Sequence, residues 1–149
     1  MTESTSSGTP TVADMTAAYA LDAVDHAKTA ADVELDFSEE SVPHVEAILT
    51  QLHDALPKGF FGKLLGRGPS NDDILTMAKM YGSYVGEVIR RTHGGEWALI
   101  DGQVTLTNGD ERVWPIAKVF KRITNGSEDN VAVYFKVLVG EYWTNSKSS

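Results

Sequence analysis

Glu87 stands three and four residues ahead of Arg90 and Arg91, so one carboxylate and two guanidinium groups share a helix surface, and His93 and Glu96 follow around a Gly94-Gly95 turn. A carboxylate acting as general base, two arginines clamping an anion and an imidazole that titrates near neutrality are the parts of a small hydrolase or transferase. The set supplies no nucleophile. The same spacing is also that of an ordinary surface ion pair worth a few tenths of a kcal/mol, so Glu87, Arg90, Arg91, His93 and Glu96 stand as a candidate polar cluster and no residue is assigned as catalytic.

A second pattern lies on the same stretch. Ala78, Gly82 and Gly86 recur every four residues, and each glycine costs about 1 kcal/mol relative to alanine in a helix, so something must approach that side closely. One reading is a helix or strand backbone packed into the stripe. The other is a ligand or partner groove between the central helix and the sheet, lined by Tyr81, Tyr84, Trp97 and Trp114 beside the small residues. Lys58 to Pro69 forms a third feature: four glycines punctuate it, yet Phe60, Phe61, Leu64 and Leu65 with Lys63 make it too apolar for a solvated linker. It is a candidate partner loop or a piece of the core. Its glycines and lysine do not make a phosphate loop, because the Lys-Ser/Thr ending is missing and a helix precedes it.

No metal or cofactor site is expected. The histidines, His26, His44, His53 and His93, never pair at three or four residues, and the chain has no cysteine, which also excludes a disulfide framework. Residues 1–57 hold eleven acidic side chains against the single Lys28, whereas residues 58–149 hold ten against twelve basic ones. The net charge of -8 opposes nonspecific nucleic-acid binding and suits a protein partner with a basic surface. No segment approaches the apolar length of a membrane span and the first ten residues lack a basic or apolar stretch, so a cytoplasmic protein is expected.

The elements that must position these residues follow from period and punctuation. With 149 residues and 42% apolar content the chain suits one domain, expected over residues 13–143 between disordered tails at 1–12 and 144–149. Asp14 is read as the cap of a first helix ending near Ala30. Val33, Leu35 and Phe37 alternate with Glu34 and Asp36 as a short strand would. Ser38 or Ser41 caps a second helix carrying Val42, Val45, Ile48, Leu49, Leu52 and Leu56, which Pro57 and Gly59 end.

Ser70 then caps the central helix. Asp72 and Asp73 lie in its first turn, Ile74, Met77, Tyr81, Tyr84, Val85, Val88 and Ile89 on its buried side, and Arg90, Arg91 and His93 at the end that favours positive charge. Trp97 to Ile100, Gln103 to Leu106 and Glu111 to Trp114 read as strands joined at Asp101-Gly102 and Asn108-Gly109. Pro115 opens a helix closed by Asn125-Gly126. Ser127 caps a last one carrying Val131, Tyr134, Phe135, Leu138 and Tyr142, with a strand over 131–139 as the alternative. The expected fold is therefore α+β: an antiparallel meander of three or four strands covered on one face by four or five helices.

The strings Tyr81-Gly-Ser-Tyr-Val-Gly-Glu-Val-Ile-Arg-Arg91, Gly94-Gly95-Glu96-Trp97 and Trp114-Pro-Ile-Ala-Lys-Val-Phe-Lys-Arg-Ile-Thr-Asn-Gly126 resemble a family of small bacterial proteins of uncharacterised activity. These share a Gly-x-Tyr-x-Gly-Glu-Val-Ile-Arg helix, a Gly-Gly-x-Trp turn and a Pro-x-x-Lys-Val-x-Lys-Arg helix. The likeness spans about residues 35–139. It implies a compact bacterial α+β domain and carries over no functional residue. Three functions remain open: a non-enzymatic protein-interaction or accessory, immunity-type module; a small-molecule sensor; and a small hydrolase or transferase using Glu87, Arg90, Arg91 and His93.

Overall fold

The structure, a computed structural model, describes residues 9–56 and 71–143. The elements run α1 (Val12–Ala31), a 3-10 turn (Glu39–Ser41), α2 (Val42–Asp54), α3 (Asn71–His93), β1 (Glu96–Ile100), β2 (Gln103–Asn108), β3 (Glu111–Val113), α4 (Pro115–Asn125), a second 3-10 turn (Ser127–Asp129) and α5 (Val131–Val137), which passes into a π-turn over Leu138–Tyr142. The class is α+β as expected, with a three-stranded antiparallel sheet in the order β1-β2-β3.

Helix α3 is the axis of the molecule. Every residue from Met80 to Ile89 is buried, so the middle of this helix is covered on all sides and not along a single stripe. Helix α1 meets it through Thr16, Ala20, Ala23 and Ala27, small side chains one and two turns apart that are all buried. Their size lets the two helices lie close. Helix α4 crosses the glycine side: a Cβ built on Gly82 would sit 2.5 Å from Ile116 Cα and 2.9 Å from Pro115 O, and one on Gly86 would overlap the Trp97 ring. The stripe therefore faces backbone and an indole of the same chain, which accounts for the helix propensity given up there.

Sheet register puts Trp97 opposite Leu106, and Leu106 opposite Val113, so these three share a face. Leu106 is fully buried in the common core with Val88, Ile89, Val119 and Ile123. Asp101 and Gly102 both have positive φ, the pattern of a type I′ hairpin. The second turn differs from the expected Asn108-Gly109. Asn108 pairs with Glu111 as the last residue of β2, and Gly109, with φ of 63°, leads the two-residue loop, as a type II′ turn requires.

Several local readings are corrected. Residues Val33 to Phe37 join no ladder; the segment turns at Phe37, whose φ is 66° and whose amide donates to the Tyr84 hydroxyl at 2.7 Å, so a side chain takes the place of a neighbouring strand. Thr11, not Asp14, is the N-cap of α1; Asp14 is its capping-box partner, with both reciprocal bonds at 3.0 Å. Neither Ser38 nor Ser41 caps α2 through its side chain, because the 3-10 turn leads directly into the helix and Ser41 Oγ is held by Ser38 O and Tyr84. Residues 131–137 are helical, and Asn130, accepting from the Val133 amide at 2.9 Å, replaces Ser127 as the cap. The expected caps and stops at Pro57, Gly59 and Ser70 lie outside the described residues.

Gly82→Ala tests the α3–α4 contact. It gains helix propensity yet forces a methyl into backbone, and a net loss of about 1–3 kcal/mol is expected from urea unfolding. A more stable variant would mean that α4 can move away without cost.

Candidate functional site

Glu87 is buried, and four donor contacts converge on its carboxylate. Arg90 Nε donates to Oε2 at 2.8 Å and Arg90 Nη2 to Oε1 at 3.1 Å; Arg91 Nε reaches Oε1 at 3.1 Å, and Trp97 Nε1 reaches Oε2 at 2.7 Å. Helix spacing supplies the arginines, and the Gly94-Gly95 corner folds β1 back so that the indole approaches over Gly86. Burial pushes the carboxyl pKa up. The Arg90, Trp97 and Arg91 bonds outweigh it, so Glu87 titrates below its ordinary 4.5. A carboxylate whose lone pairs are already filled by donors is a structural anion and a poor base.

The remainder of the expected polar cluster disperses. His93 Nε2 bonds to the Glu39 carboxylate on the first 3-10 turn, and its ring meets Phe135 edge-on at 6.4 Å. Arg91 lays its guanidinium 3.8 Å above the Phe37 ring. The side chain of Glu96 is exposed at the start of β1. Glu87, Arg90 and Arg91 are thus brought together, while His93 and Glu96 point elsewhere.

The expected groove along Ala78, Gly82 and Gly86 is filled by the chain itself. Its aromatic residues face four different ways: the Tyr81 hydroxyl meets His26 Nδ1 at 2.7 Å, Tyr84 meets Ser41 Oγ and the Phe37 amide, Trp97 meets Glu87, and Trp114 opens to solvent. Burial raises both tyrosine pKa values and lowers that of His26. These hydroxyls satisfy a buried core. The candidate loop residues Phe60, Phe61, Lys63, Leu64 and Leu65 lie outside the described residues.

A concave surface does exist, on the other side of α4. Met15, Thr16 and Tyr19 of α1, Leu75 and Lys79 of α3, Gln103 and Val104 of β2, and Trp114, Ile116, Ala117, Phe120 and Lys121 border a groove of about 400 Å³. Met15, Leu75 and Trp114 leave 43%, 41% and 42% of their surface exposed there, unusual for large apolar side chains lying together. Trp114 alone was legible as a lining residue from the sequence. The signal for the rest was the apolar surplus of α1 and α4 beyond what their buried faces use, which becomes visible only when the helices are set side by side.

A second polar knot was also absent from the sequence reading. Arg122 is 2% exposed and donates from Nε to Glu46 Oε2 at 2.8 Å and from Nη2 to Thr50 Oγ1 at 2.6 Å, while Glu46 Oε1 accepts the Val131 amide at 2.9 Å. It ties α4, α2 and the start of α5. Among the described residues no three His, Asp or Glu side chains gather as a metal site would require, and no helix is long and apolar enough to cross a membrane.

Glu87→Gln places an amide N–H against donors and is expected to cost about 1.5–3 kcal/mol, the scale of hydrogen bonds to charged groups. Because the folded-state pKa lies below the unfolded value, Glu87 stabilises fully above pH 4.5 and the contribution is lost as pH falls through the depressed folded value. Urea unfolding from pH 7 down to pH 3 should therefore show a smaller acid loss in the variant than in the parent. Equal losses would contradict the buried-anion role.

Compared with protein-family models, with curated proteins and with solved structures, the chain matches none.

Proposed function

We propose that this chain is a non-enzymatic binding module whose working surface is the groove between α1, α3, β2 and α4. The observation that carries this reading is the grouping of Met15, Leu75 and Trp114, three large apolar side chains exposed around a concavity that four elements enclose; a second exposed set, Val133, Val137 and Tyr142, borders a cleft built mainly from α5 and its π-turn. Its volume falls in the range of about 300–1,000 Å³ usual for small-ligand sites, with a mainly apolar lining and a few polar groups at its border. The saturated environment of Glu87 favours binding over catalysis, since the best candidate base already holds its donors.

A second reading, docking of a protein with a basic surface, is favoured by the exposed carboxylates of Asp22, Asp25, Asp32 and Glu34, of which only the last two share Lys28. Such a field speeds encounter more than it sets affinity.

The neutral fluorophore 1-aminoanthracene tests the groove. It should brighten on titration with the protein, and Ala117→Trp, which fills the concavity from an exposed helix position, should abolish the signal while leaving the unfolding midpoint nearly unchanged. A signal that survives Ala117→Trp, or no signal with the parent, would remove the groove as the working surface.

A further inference from the structure

The charges bordering the groove run against those of the molecule. In a chain with 21 acidic and 13 basic side chains, no carboxylate lines this concavity, and its two charged groups are Lys79 from α3 and Lys121 from α4. Most other cations with a described place are engaged: Lys28 with Asp32 and Glu34, Lys118 with Asp129, Arg90 and Arg91 with Glu87, and Arg122 with Glu46. Among the described residues neither Lys79 nor Lys121 has a carboxylate within ion-pair distance, although the Asp129 carboxylate, paired with Lys118, acts on Lys121 from farther away. Lys79 is half-buried, so its methylene stem adds to the apolar lining while its ammonium stays at the border.

We propose, resting on the groove reading above, that the occupant is a free small amphipathic anion. Its apolar body lies against Tyr19, Leu75, Trp114 and Phe120, and its anionic head is met by Lys79 and Lys121. Charge complementarity selects this occupant. An apolar body alone would leave the half-buried Lys79 ammonium beside a low-dielectric surface without a counter-charge. An aliphatic cation would be repelled by both lysines.

The test uses the whole protein at low ionic strength, with dodecanoate and dodecyltrimethylammonium kept below their micelle concentrations and dodecanol below its solubility limit, and binding followed by tryptophan fluorescence and, where solubility allows, calorimetry. Dodecanoate should bind about tenfold more tightly than dodecanol, a difference of about 1.4 kcal/mol, and the ammonium compound least. Added salt should weaken dodecanoate alone. The double variant Lys79→Gln with Lys121→Gln, at two sites outside the core, should bring dodecanoate level with dodecanol.

Equal binding of dodecanoate and dodecanol by the parent, or a preference that survives the double variant, overturns the proposal. So does binding to phosphatidylglycerol vesicles or to an acidic amphipathic peptide without binding of free dodecanoate. A dimer in sedimentation that shields Trp114 and excludes dodecanoate also overturns it, and names a second copy as occupant. If 1-aminoanthracene still enters the groove while dodecanoate does not, the head-group assignment fails and the groove reading stands. If neither enters, both fail.

Discussion

A carboxylate removed from water must be met by donors, and at Glu87 this requirement organises one whole end of the protein. Trp97 answers it from β1, so the corner after α3 can have only one direction. Arg91 answers it from the next helical turn and in doing so spreads its guanidinium over Phe37. Phe37 in turn gives its amide to Tyr84, whose hydroxyl also holds Ser41. The buried anion, the indole, the stacked cation and the bent segment are a single arrangement, and replacing one member leaves the others with unmet groups in a dry interior.

The adjoining side of α3 is organised by shape. Helix α3 gives up side chains at Gly82 and Gly86 so that the first turn of α4 and the ring of Trp97 can enter. That entry fixes where α4 begins and therefore which of its faces turns inward. Val119, Arg122 and Ile123 go to the core, and Ala117 and Lys121 come to face α1 across the groove. A close contact chosen for packing on one side of α4 thus produces the concavity on the other.

How much of this was legible depended on the kind of information each feature uses. Helix α3 and the meander were readable because period and turn chemistry are local: Ile74 through Ile89 repeat at helical spacing, and Asp101-Gly102 has the backbone freedom its turn demands. Caps were less readable, since Thr11 and Asp14, or Ser127 and Asn130, are equivalent polar residues until reciprocal bonds decide between them. The polar cluster was legible as a spacing and not as an environment. Sequence places Arg90 and Arg91 near Glu87, but only the fold adds Trp97 and sends His93 to Glu39. The Glu46–Arg122 pair was invisible for the same reason, being long-range in sequence and made between two helices whose contact nothing local announces.

At the far end of the described chain, Trp143 is buried, gives its indole N–H to Gly94 O at 2.8 Å and packs beside Gly95 and Leu106. The corner between α3 and β1, made midway through the sequence, is therefore closed by a side chain that comes much later. During synthesis that corner must wait, its carbonyl and the edge of the core wetted, until residue 143 has cleared the ribosome.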